Sequence, residues 1–535
     1  MAKAFCLPNR SGAFIASALA VMVAILLFNP CAARGADTSL VVSTNAGQLQ
    51  GAARTTGGAE FLGVPYAQPP VGDLRWREPV PAKPWNGVRE ATAFGAPCAQ
   101  PDLGGWNRHD AETGQEDCLF LNVITPSWPA KKPLPVMFWI HGGANEGGTA
   151  SSALYKDGTL VQHGVVLVTV NYRLGIFGFF AHPGLTRESA HHASGNYGLM
   201  DQILALRWVR DNIANFGGDP NNITVFGQSA GSQDTGMLMT SMGRSLFERA
   251  IAESGAPFNP WLPPLAEAER AGEEFAAALK LPAGQDPLAA MRQVPAKELM
   301  AANSGSHRML IVPDVDGWVI PRSPASVFAS GQEAPIPLLI GVTTREFGST
   351  ASAEELRRAI QNASGSLSPQ VLKVYGLADT GPASSDPVYG TTADQWAADS
   401  VFHCPATTEA IWHSAAQHPT YEYELAHAIP GHEAEGAIHS GDLPYVFGYF
   451  PKTGNIAGNF GDTDYKLADL VETYWTNFAR TGNPNSDNLP HWPELGLSQT
   501  YLEFAQDGRT VTATGLRKPQ CDVYREVLAE RMKQH

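Results

Sequence analysis

Short apolar runs alternate along this chain with stretches of helical periodicity. Leu134–Ile140 and Val165–Val170 lack polar alternation, which is typical of parallel strands covered on both faces. Further strands are predicted at Ile223–Phe226, Pro337–Val342 and Tyr421–Leu425. Before the third strand, apolar residues at spacings of three and four predict an amphipathic helix: Leu199, Ile203, Leu206, Val209 and Ile213. This alternation predicts an α/β fold with a doubly wound, mostly parallel sheet.

Two longer regions change to Ala- and Glu-rich helical sequence, at about 263–335 and 351–410. We interpret them as helical insertions that shape the mouth of a site. Because no repeat period or long linker appears, we expect a single domain over residues 34–535. The stretch Gly376–Thr392 is rich in Gly, Pro, Ser and Asp, which predicts a surface loop.

The first 33 residues have the pattern of a signal peptide. Lys3 and Arg10 precede the uncharged apolar run Ala13–Phe28, and the small residues Cys31–Ala33 offer a cleavage site. The apolar run is shorter than the roughly 20 residues that a membrane-spanning helix needs, so no stable membrane anchor is expected. We therefore predict a secreted or periplasmic protein.

Composition and charge narrow the possible functions. Hydrophobic residues make up 44% of the chain and charged residues 17%, which favours a large folded globule over a disordered chain. Acidic residues outnumber basic ones by 52 to 37, for a formal net charge of -15. No basic stripe is present to neutralise a phosphate backbone, so no nucleic-acid partner is expected.

Cysteine usage agrees with export. Four cysteines follow the predicted signal peptide, and an even number predicts two disulfides with three possible connectivities: Cys98, Cys118, Cys404 and Cys521. Free buried thiols are the alternative. Because no Cys or His cluster was recognised with metal-ligand spacing, no metal site is predicted.

The segment Gly227-Gln228-Ser229-Ala230-Gly231 lies between a predicted strand and a helical pattern. This is the context of a nucleophile elbow, in which the flanking glycines permit a tight turn that exposes the serine hydroxyl. An ordinary Gly-rich loop is the alternative. Ser229 is therefore the candidate nucleophile.

A second glycine-rich segment predicts an oxyanion hole. The segment His141-Gly142-Gly143-Ala144 directly follows the strand Leu134–Ile140, and its glycines let backbone N–H groups approach a ligand without hindrance. The amide of Ala230 would add a third donor. The alternative is a tight turn that merely requires glycine.

A serine nucleophile needs a histidine base oriented by a carboxylate, which this fold supplies later in the chain in the order Ser, acid, His. Glu346 follows the strand that ends at Val342, and His439 follows the strand Tyr421–Leu425. Spacing alone does not select them, because the chain has 15 histidines.

Several segments resemble signatures of the type-B carboxylesterases, the cholinesterase-like family of α/β-hydrolases. They span nearly the whole mature chain: Phe216–Phe226, Glu116–Val123, Asn171–Gly175, Gly195–Gln202, Gly341–Glu346, Ala437–Gly448 and Tyr474–Ala479. The resemblance implies a serine carboxylester hydrolase that forms an acyl-enzyme on a small-molecule ester and uses no cofactor. It selects Glu346 and His439 as the partners of Ser229.

The resemblance also implies structural pairings. It implies disulfides Cys98–Cys118 and Cys404–Cys521, of which the second is the less certain carry-over. Arg173 and Asp201 occupy positions that form a buried salt bridge in relatives.

Departures from the family pattern bear on the substrate. Gln228 replaces a Glu that many relatives carry, which disfavours choline esters, and Ala144 and Asn145 replace a Gly-aromatic pair, which implies a more polar or roomier acyl side. Phe347 separates Glu346 from Gly348 and is expected to shift the loop of the acid. Trp261 resembles an aromatic residue of the acyl pocket, with a core tryptophan as the alternative.

The resemblance implies a xenobiotic, natural-product or toxin ester as substrate. Two alternatives remain open at the level of sequence: a non-catalytic cholinesterase-like binding protein, and an amide or lactone hydrolase that uses the same site. The sequence predicts no oligomeric state.

Overall fold

The computed structural model describes residues 40–533, except 259–260, 282–283, 285, 305–308, 310 and 379–384. The predicted signal peptide, residues 1–33, lies outside the described residues. None of the helices in the described part of the chain combines the length and apolar character that crossing a bilayer requires.

The described residues form sixteen strands and seventeen α-helices. The strands are β1 Val41–Ser43, β2 Gln48–Gln50, β3 Ala52–Ala53, β4 Ala59–Pro65, β5 Val88–Glu90, β6 Phe120–Thr125, β7 Leu134–Ile140, β8 Val166–Val170, β9 Gly218–Gln228, β10 Arg249–Glu253, β11 Leu338–Thr343, β12 Ser385–Asp386, β13 Gly390–Thr391, β14 Thr420–Leu425, β15 Thr500–Phe504 and β16 Thr510–Thr514. The helices are α1 Arg108–Thr113, α2 Ala153–Lys156, α3 Gly175–Gly178, α4 Pro183–Glu188, α5 Tyr197–Asn212, α6 Ala230–Thr240, α7 Leu265–Ala278, α8 Pro287–Gln293, α9 Ala296–Ala302, α10 Pro324–Ala329, α11 Ala353–Ser364, α12 Ser368–Val374, α13 Thr392–Ala398, α14 Cys404–Ala415, α15 Leu443–Phe447, α16 Asp462–Thr481 and α17 Lys518–Met532.

Eleven strands form the central sheet, in the order β16-β15-β14-β11-β10-β9-β7-β8-β6-β4-β3. Within this order, the seven neighbouring strands β15, β14, β11, β10, β9, β7 and β8 run parallel. The remaining strands pair antiparallel with their neighbours at the two edges of the sheet. The predicted α/β-hydrolase fold with a mostly parallel sheet is confirmed. Functional side chains are expected at the carboxyl ends of the parallel strands, where ligands bind in open α/β sheets.

Both faces of the sheet are covered, which explains why its strands lack polar alternation. On β7, Val136, Phe138 and Ile140 contribute to one apolar core, whereas Met137 and Trp139 contribute to a second core on the other face. Successive side chains of a strand point to opposite faces, so both sets must be apolar here.

The predicted strands and the predicted helix are present with small shifts at their ends. The strand β8 begins at Val166 rather than Val165, and the helix α5 spans Tyr197–Asn212. The strand β9 is longer than predicted and runs from Gly218 to Gln228. Such shifts arise because the last residues of a strand or helix are decided by neighbouring chain segments rather than by the local apolar pattern.

The predicted surface loop Gly376–Thr392 contains a short ordered turn. Its described residues include the two-residue pairing of β12 with β13, and the Tyr389 hydroxyl donates to Glu424 Oε1 at 2.9 Å. The described residues form a turn at 387–389 between two short strands, as the turn-rich composition predicts, and the long-range hydrogen bond to Glu424 anchors that turn.

Two disulfides join distant segments. Cys98 pairs with Cys118, and Cys404 at the start of α14 pairs with Cys521 in α17. This is the pairing that the resemblance implies, and disulfides indicate a secretory or extracellular environment.

The buried salt bridge implied by the resemblance is also present. The Arg173 guanidinium donates two hydrogen bonds of 2.8 Å to the Asp201 carboxylate, and both side chains are almost fully buried. The pair joins the segment after β8 to α5.

Candidate active site

Ser229 lies at the sharp turn between β9 and α6. Its backbone has φ 59° and ψ -122°, a conformation that costs an L-residue on the order of 1–3 kcal/mol. Glycine is required on both sides of it. A Cβ at Gly227 would lie 2.5 Å from the Gly231 carbonyl carbon, and one at Gly231 would lie 2.0 Å from the oxygen of Ile140.

The loop after β7 approaches this turn closely. A Cβ at Gly142 would lie 3.0 Å from Ser229 Cβ, so only glycine permits the contact. Gly143 has φ 113°, which also favours glycine. In the part of the chain that the structure describes, the amides of Gly142, Gly143 and Ala230 donate to no protein group. Three N–H donors next to Ser229 are therefore available to a ligand.

A buried polar network braces the same loop. The Tyr172 hydroxyl lies within hydrogen-bonding distance of His141 O and of Asn145 Oδ1, and Asn145 Nδ2 donates to Asp234 Oδ1 at 2.9 Å. Ala144 and Asn145 have φ 57° and 56°. Both border the cavity described below, but the amide of Asn145 is engaged in the network rather than free to contact an acyl group. Burial raises the pKa of Asp234 to about 7.

Glu346 and His439, 93 residues apart, are brought together by the neighbouring strands β11 and β14. His439 Nδ1 lies 2.5 Å from Glu346 Oε2, and the His439 amide donates to the Glu346 carbonyl at 2.8 Å. Burial acts to raise the pKa of Glu346. The hydrogen bond from His439, electrostatic attraction to the imidazoles of His439 and His403, and the hydrogen bond from the Thr343 amide together outweigh it and lower that pKa below its usual range. Glu346 is therefore ionised near neutral pH.

The second ring nitrogen of His439 faces the residue before the serine. His439 Nε2 lies 3.2 Å from Gln228 Nε2. Among the described residues, no hydrogen bond joins His439 Nε2 to Ser229. Because Nδ1 faces a carboxylate, it carries the proton, and Nε2 presents a lone pair that accepts from the Gln228 amide.

A cavity of about 690 Å³ contains these groups. Its wall includes six of the predicted oxyanion-hole and pocket residues together with Ser229 and His439: Gly142, Gly143, Ala144, Asn145, Gln228 and Ala230. Glu346 lies behind His439 and is outside the wall. Trp261 is not among the described residues of the wall. Its ring lies 5.8 Å from the Arg531 guanidinium instead.

Two aromatic residues that pack on the His439 ring were not predicted from the sequence as parts of the site. The rings of Phe347 and Phe402 lie 4.4 and 4.6 Å from the His439 ring. Phe347 is 53% exposed, whereas Phe402 is buried. Phe347 had been noted only as an insertion beside the acid, and Phe402 has no local signal because it lies in a π-helical turn far from any motif.

The side chains that line the cavity are neutral or acidic. Asp110 and Glu146 border it, and among its described wall residues there is no Lys or Arg. Burial raises the pKa of Asp110. Burial also lowers the pKa of His141 to about 4, so this imidazole is neutral at pH 7.

Two further carboxylates lie behind the site. Burial, followed by the charge of Glu346, raises the pKa of Asp442 to about 6. Burial and the charge of Asp442 raise the pKa of Glu253 well above its usual range, although Trp475 Nε1 donates to it. The carbonyl oxygen of Glu253 accepts from the Ser229 amide at 2.8 Å. Glu346 alone in this group has its pKa lowered.

The sheet order, the serine at a strand-to-helix turn and the histidine–carboxylate pair at the carboxyl ends of the strands define the α/β-hydrolase class. Comparison with known proteins agrees, since residues 38–524 match the family model described as "Carboxylesterase family". The chain belongs to the carboxylesterase family.

Similar proteins are named as ester hydrolases. "Fumonisin B1 esterase" of Sphingopyxis macrogoltabida is 35% identical over 492 residues, which cover 89% of this chain and 88% of that protein. "Fatty acyl-CoA hydrolase precursor, medium chain" of Anas platyrhynchos is 33% identical, covering 92% and 94%. "Cocaine esterase" of Homo sapiens is 34% identical, covering 88% and 89%. The chain is a carboxylic ester hydrolase.

Proposed function

We propose that Ser229 attacks the ester carbonyl while His439 Nε2 accepts its proton and Glu346 orients the imidazole. The observation that carries this proposal is the 2.5 Å contact between Glu346 Oε2 and His439 Nδ1, which leaves Nε2 opposite the Gln228 amide at the wall of the cavity that Ser229 also borders. A serine hydroxyl becomes nucleophilic only when such a base removes its proton.

The proton moves in two steps. In acylation, Nε2 takes the Ser229 proton and returns it to the leaving alcohol, so the serine ends as an acyl ester. In deacylation, Nε2 takes a proton from water, the hydroxide attacks the acyl carbon, and the proton returns to Ser229. The Gln228 amide must release Nε2 first, because both donors compete for one lone pair.

The negative charge of each tetrahedral intermediate needs donors. We assign this role to the amides of Gly142, Gly143 and Ala230, which have no protein acceptor among the described residues. Ala230 is the first residue of α6, and the positive end of the helix dipole adds to the stabilisation. A single such donor contributes about 3–4 kcal/mol to the transition state.

The shape and charge of the cavity favour a neutral ester with a sizeable apolar part. Its volume accommodates a drug-sized molecule, and its wall combines aromatic and aliphatic side chains with acidic rather than basic ones. The similar proteins include ones named "Fumonisin B1 esterase" and "Cocaine esterase". We therefore propose a xenobiotic, natural-product or toxin ester as the substrate class.

We further propose that residues 34–535 form one domain whose two helical insertions cover the site. Ile311 and Pro313 from the first insertion and Val401 and Phe402 from the second border the cavity. Differences in these insertions would then set substrate preference while the sheet holds the reacting groups.

Active-site labelling tests the nucleophile. A fluorophosphonate probe should label the wild-type protein covalently but not Ser229→Ala, and Ser229→Ala should lose at least about 10⁴-fold in kcat on an aryl ester. The matched control is Ser498→Ala, an exposed serine, which should retain both properties. Activity of Ser229→Ala near the wild-type level would overturn the proposal.

A substrate panel separates the remaining alternatives. Neutral, cationic and polycarboxylic esters should be compared with matched amides and lactones by kcat/KM. The proposal predicts that neutral esters are the best substrates. A probe-reactive protein that prefers amides or lactones would assign the same residues to a different acyl transfer, and a protein that neither reacts nor turns over would be a binding protein.

A further inference from the structure

A second Glu–His cluster lies near the amino ends of the sheet strands, whereas the cavity lies at their carboxyl ends. Glu333 lies in the loop before β11, His413 near the end of α14, and His418 in the loop between α14 and β14. Because β11 and β14 run parallel, their amino ends lie side by side, and so do their carboxyl ends. Glu333 and His418 precede the amino ends, whereas Glu346 and His439 follow the carboxyl ends. None of the three cluster residues borders the cavity.

Three ligand atoms of this cluster converge on one point. Glu333 Oε1 lies 2.8 Å from His413 Nδ1 and 3.2 Å from His418 Nδ1, and the two nitrogens are 3.4 Å apart. The circle through three atoms with these separations has a radius of about 1.8 Å, so an ion above their plane can contact all three at about 2.0–2.1 Å. These are the lengths of Zn–N and Zn–O bonds.

The surroundings of His413 are those of a metal ligand. Its Nε2 lies 2.8 Å from Ile336 O, an acceptor that can hold a proton on Nε2, so Nδ1, which faces Glu333 Oε1, is the atom that would coordinate an ion in exchange for its proton. Metal-binding histidines commonly donate their other N–H to a carbonyl or carboxylate in this way, which fixes the ring orientation. The His413 and Glu333 side chains are fully buried, and His418 is 15% exposed.

The second oxygen of the Glu333 carboxylate, Oε2, is buried and has no hydrogen-bond partner among the described residues. Both oxygens of Glu409, one helical turn before His413 on α14, are likewise unpartnered there but do not belong to the cluster of three ligand atoms. An ionised carboxylate buried without a partner is costly unless a cation compensates it or a proton neutralises it. A cation bound by the three converging atoms would compensate the Glu333 carboxylate.

The geometry points to a structural site for a divalent transition ion, Zn²⁺ above all, held by Glu333 Oε1, His413 Nδ1 and His418 Nδ1. Two imidazoles and one carboxylate suit Zn²⁺, whereas Mg²⁺ and Ca²⁺ prefer oxygen ligands alone. The ion would join the entry loops of β11 and β14 to α14. Four residues separate His413 from His418, which is within the H-x₃₋₅-H spacing of zinc ligands, so the expectation that no histidines have metal-ligand spacing is wrong for this pair.

Metal analysis and thermal unfolding test this site. The mature chain, prepared without a histidine tag, is stripped with a chelator, reloaded with Zn²⁺, desalted and analysed for bound metal. We expect one Zn²⁺ per chain and a Tm about 3 °C above that of the stripped protein at a Zn²⁺ concentration of about 100 Kd. Turnover of an aryl ester at 25 °C should be the same in both forms, because the site is remote from the cavity.

Matched histidine variants locate the ion. His418→Gln should bind Zn²⁺ at least 10-fold more weakly and lose the Tm rise. His432→Gln, at an exposed histidine 3.1 Å from Glu435, should behave as wild type. The proposal is overturned if the reloaded wild-type protein holds no Zn²⁺ and its Tm is the same with and without the chelator. A protonated histidine would then be the positive charge that faces Glu333. It is also overturned if His418→Gln binds Zn²⁺ as tightly as wild type. The wild-type measurement decides the matter if His418→Gln does not fold.

Discussion

The two ends of the neighbouring strands β11 and β14 each carry a Glu–His contact. At the carboxyl ends, Glu346 Oε2 lies 2.5 Å from His439 Nδ1, and at the amino ends Glu333 Oε1 lies 2.8 Å from His413 Nδ1. The difference is at Nε2, which faces the Gln228 amide and the cavity in His439 but is held by Ile336 O in His413. A carboxylate–imidazole pair becomes available for proton transfer only when its second nitrogen reaches a substrate.

A third pair lies between these two extremes. Asp399 Oδ1 lies 2.8 Å from His403 Nδ1, and His403 Nε2 lies 2.7 Å from Thr343 O, just behind Glu346. Like His413, His403 is not part of the cavity wall as far as the structure describes it, and among the described residues no second imidazole joins its pair with Asp399. The Asp399–His403 pair therefore shows what a buried carboxylate–imidazole pair contributes to stability when it neither contacts substrate nor includes a second histidine.

Of the substitutions that test this difference between the two ends of the strands, we expect the one at His439 to have the largest effect on activity. His439→Gln should lower kcat/KM on an aryl ester by about 10⁴-fold, because no base remains to accept the Ser229 proton. His418→Gln at the amino ends should retain wild-type kcat, as measured in the same assay at 25 °C. A loss of less than tenfold in His439→Gln would show that another group is the base.

Removing the charge of the acid should cost somewhat less. Glu346→Gln should lower kcat/KM by about 10³-fold, because a neutral amide neither stabilises the imidazolium nor selects the Nδ1–H tautomer. Glu346→Asp keeps the charge and should recover part of the loss. Equal rates in Glu346→Gln and wild type would mean that the carboxylate has no role in the reaction.

At His403 the expected effect is on stability and depends on pH. Burial acts to lower the pKa of His403, but the hydrogen bond to Asp399 and the charges of Asp399, Glu346 and Glu424 together outweigh it and raise that pKa above 6.5. Burial acts to raise the pKa of Asp399, but its bonds to His403 and Arg517 outweigh it and lower that pKa below 3.8. The pair contributes fully between pH 3.8 and pH 6.5.

The contribution is lost as pH rises through the raised pKa of His403 or falls through the lowered pKa of Asp399. His403→Gln should therefore lower the free energy of unfolding by about 2 kcal/mol near pH 6, measured in urea, and by less at pH 9. The same loss at both pH values would contradict a charged His403. A chelator should not change the result, in contrast to the cluster of Glu333.

The smallest effect is expected at Gln228. Gln228→Glu places a carboxylate where an amide now lies 3.2 Å from His439 Nε2, which favours the imidazolium. The midpoint of the acid limb of the kcat/KM–pH profile should rise by about one unit. Gln228→Leu, which removes the hydrogen bond without adding charge, should not raise it. An unchanged midpoint in Gln228→Glu would mean that residue 228 does not face the base during turnover.

Local sequence was sufficient for the turn that carries Ser229. The collisions that exclude a side chain at Gly227 and Gly231 arise within the turn and with the adjacent end of β7, so they leave a local glycine pattern. The same holds for Gly142, whose approach to Ser229 leaves no room for a Cβ. The strands were predictable for a similar reason, because burial on both faces requires continuous apolar runs.

The partners of His439 were not predictable from spacing. The contact with Glu346 spans 93 residues, and the residue type alone does not distinguish His439 from His413 or His403, each of which also faces a carboxylate. The family resemblance selected His439, and nothing indicated that Gln228 would occupy its Nε2.

The sequence by itself predicted five strands and one amphipathic helix of the core, the glycine positions and the type of each candidate group, because these depend on neighbours within a few residues. Only the tertiary structure decided which histidine faces the cavity, that Phe347 and Phe402 pack on its ring, and that Glu333 meets His413 and His418. These contacts depend on strand order and helix packing, which bring together residues whose separation along the chain leaves no periodic pattern.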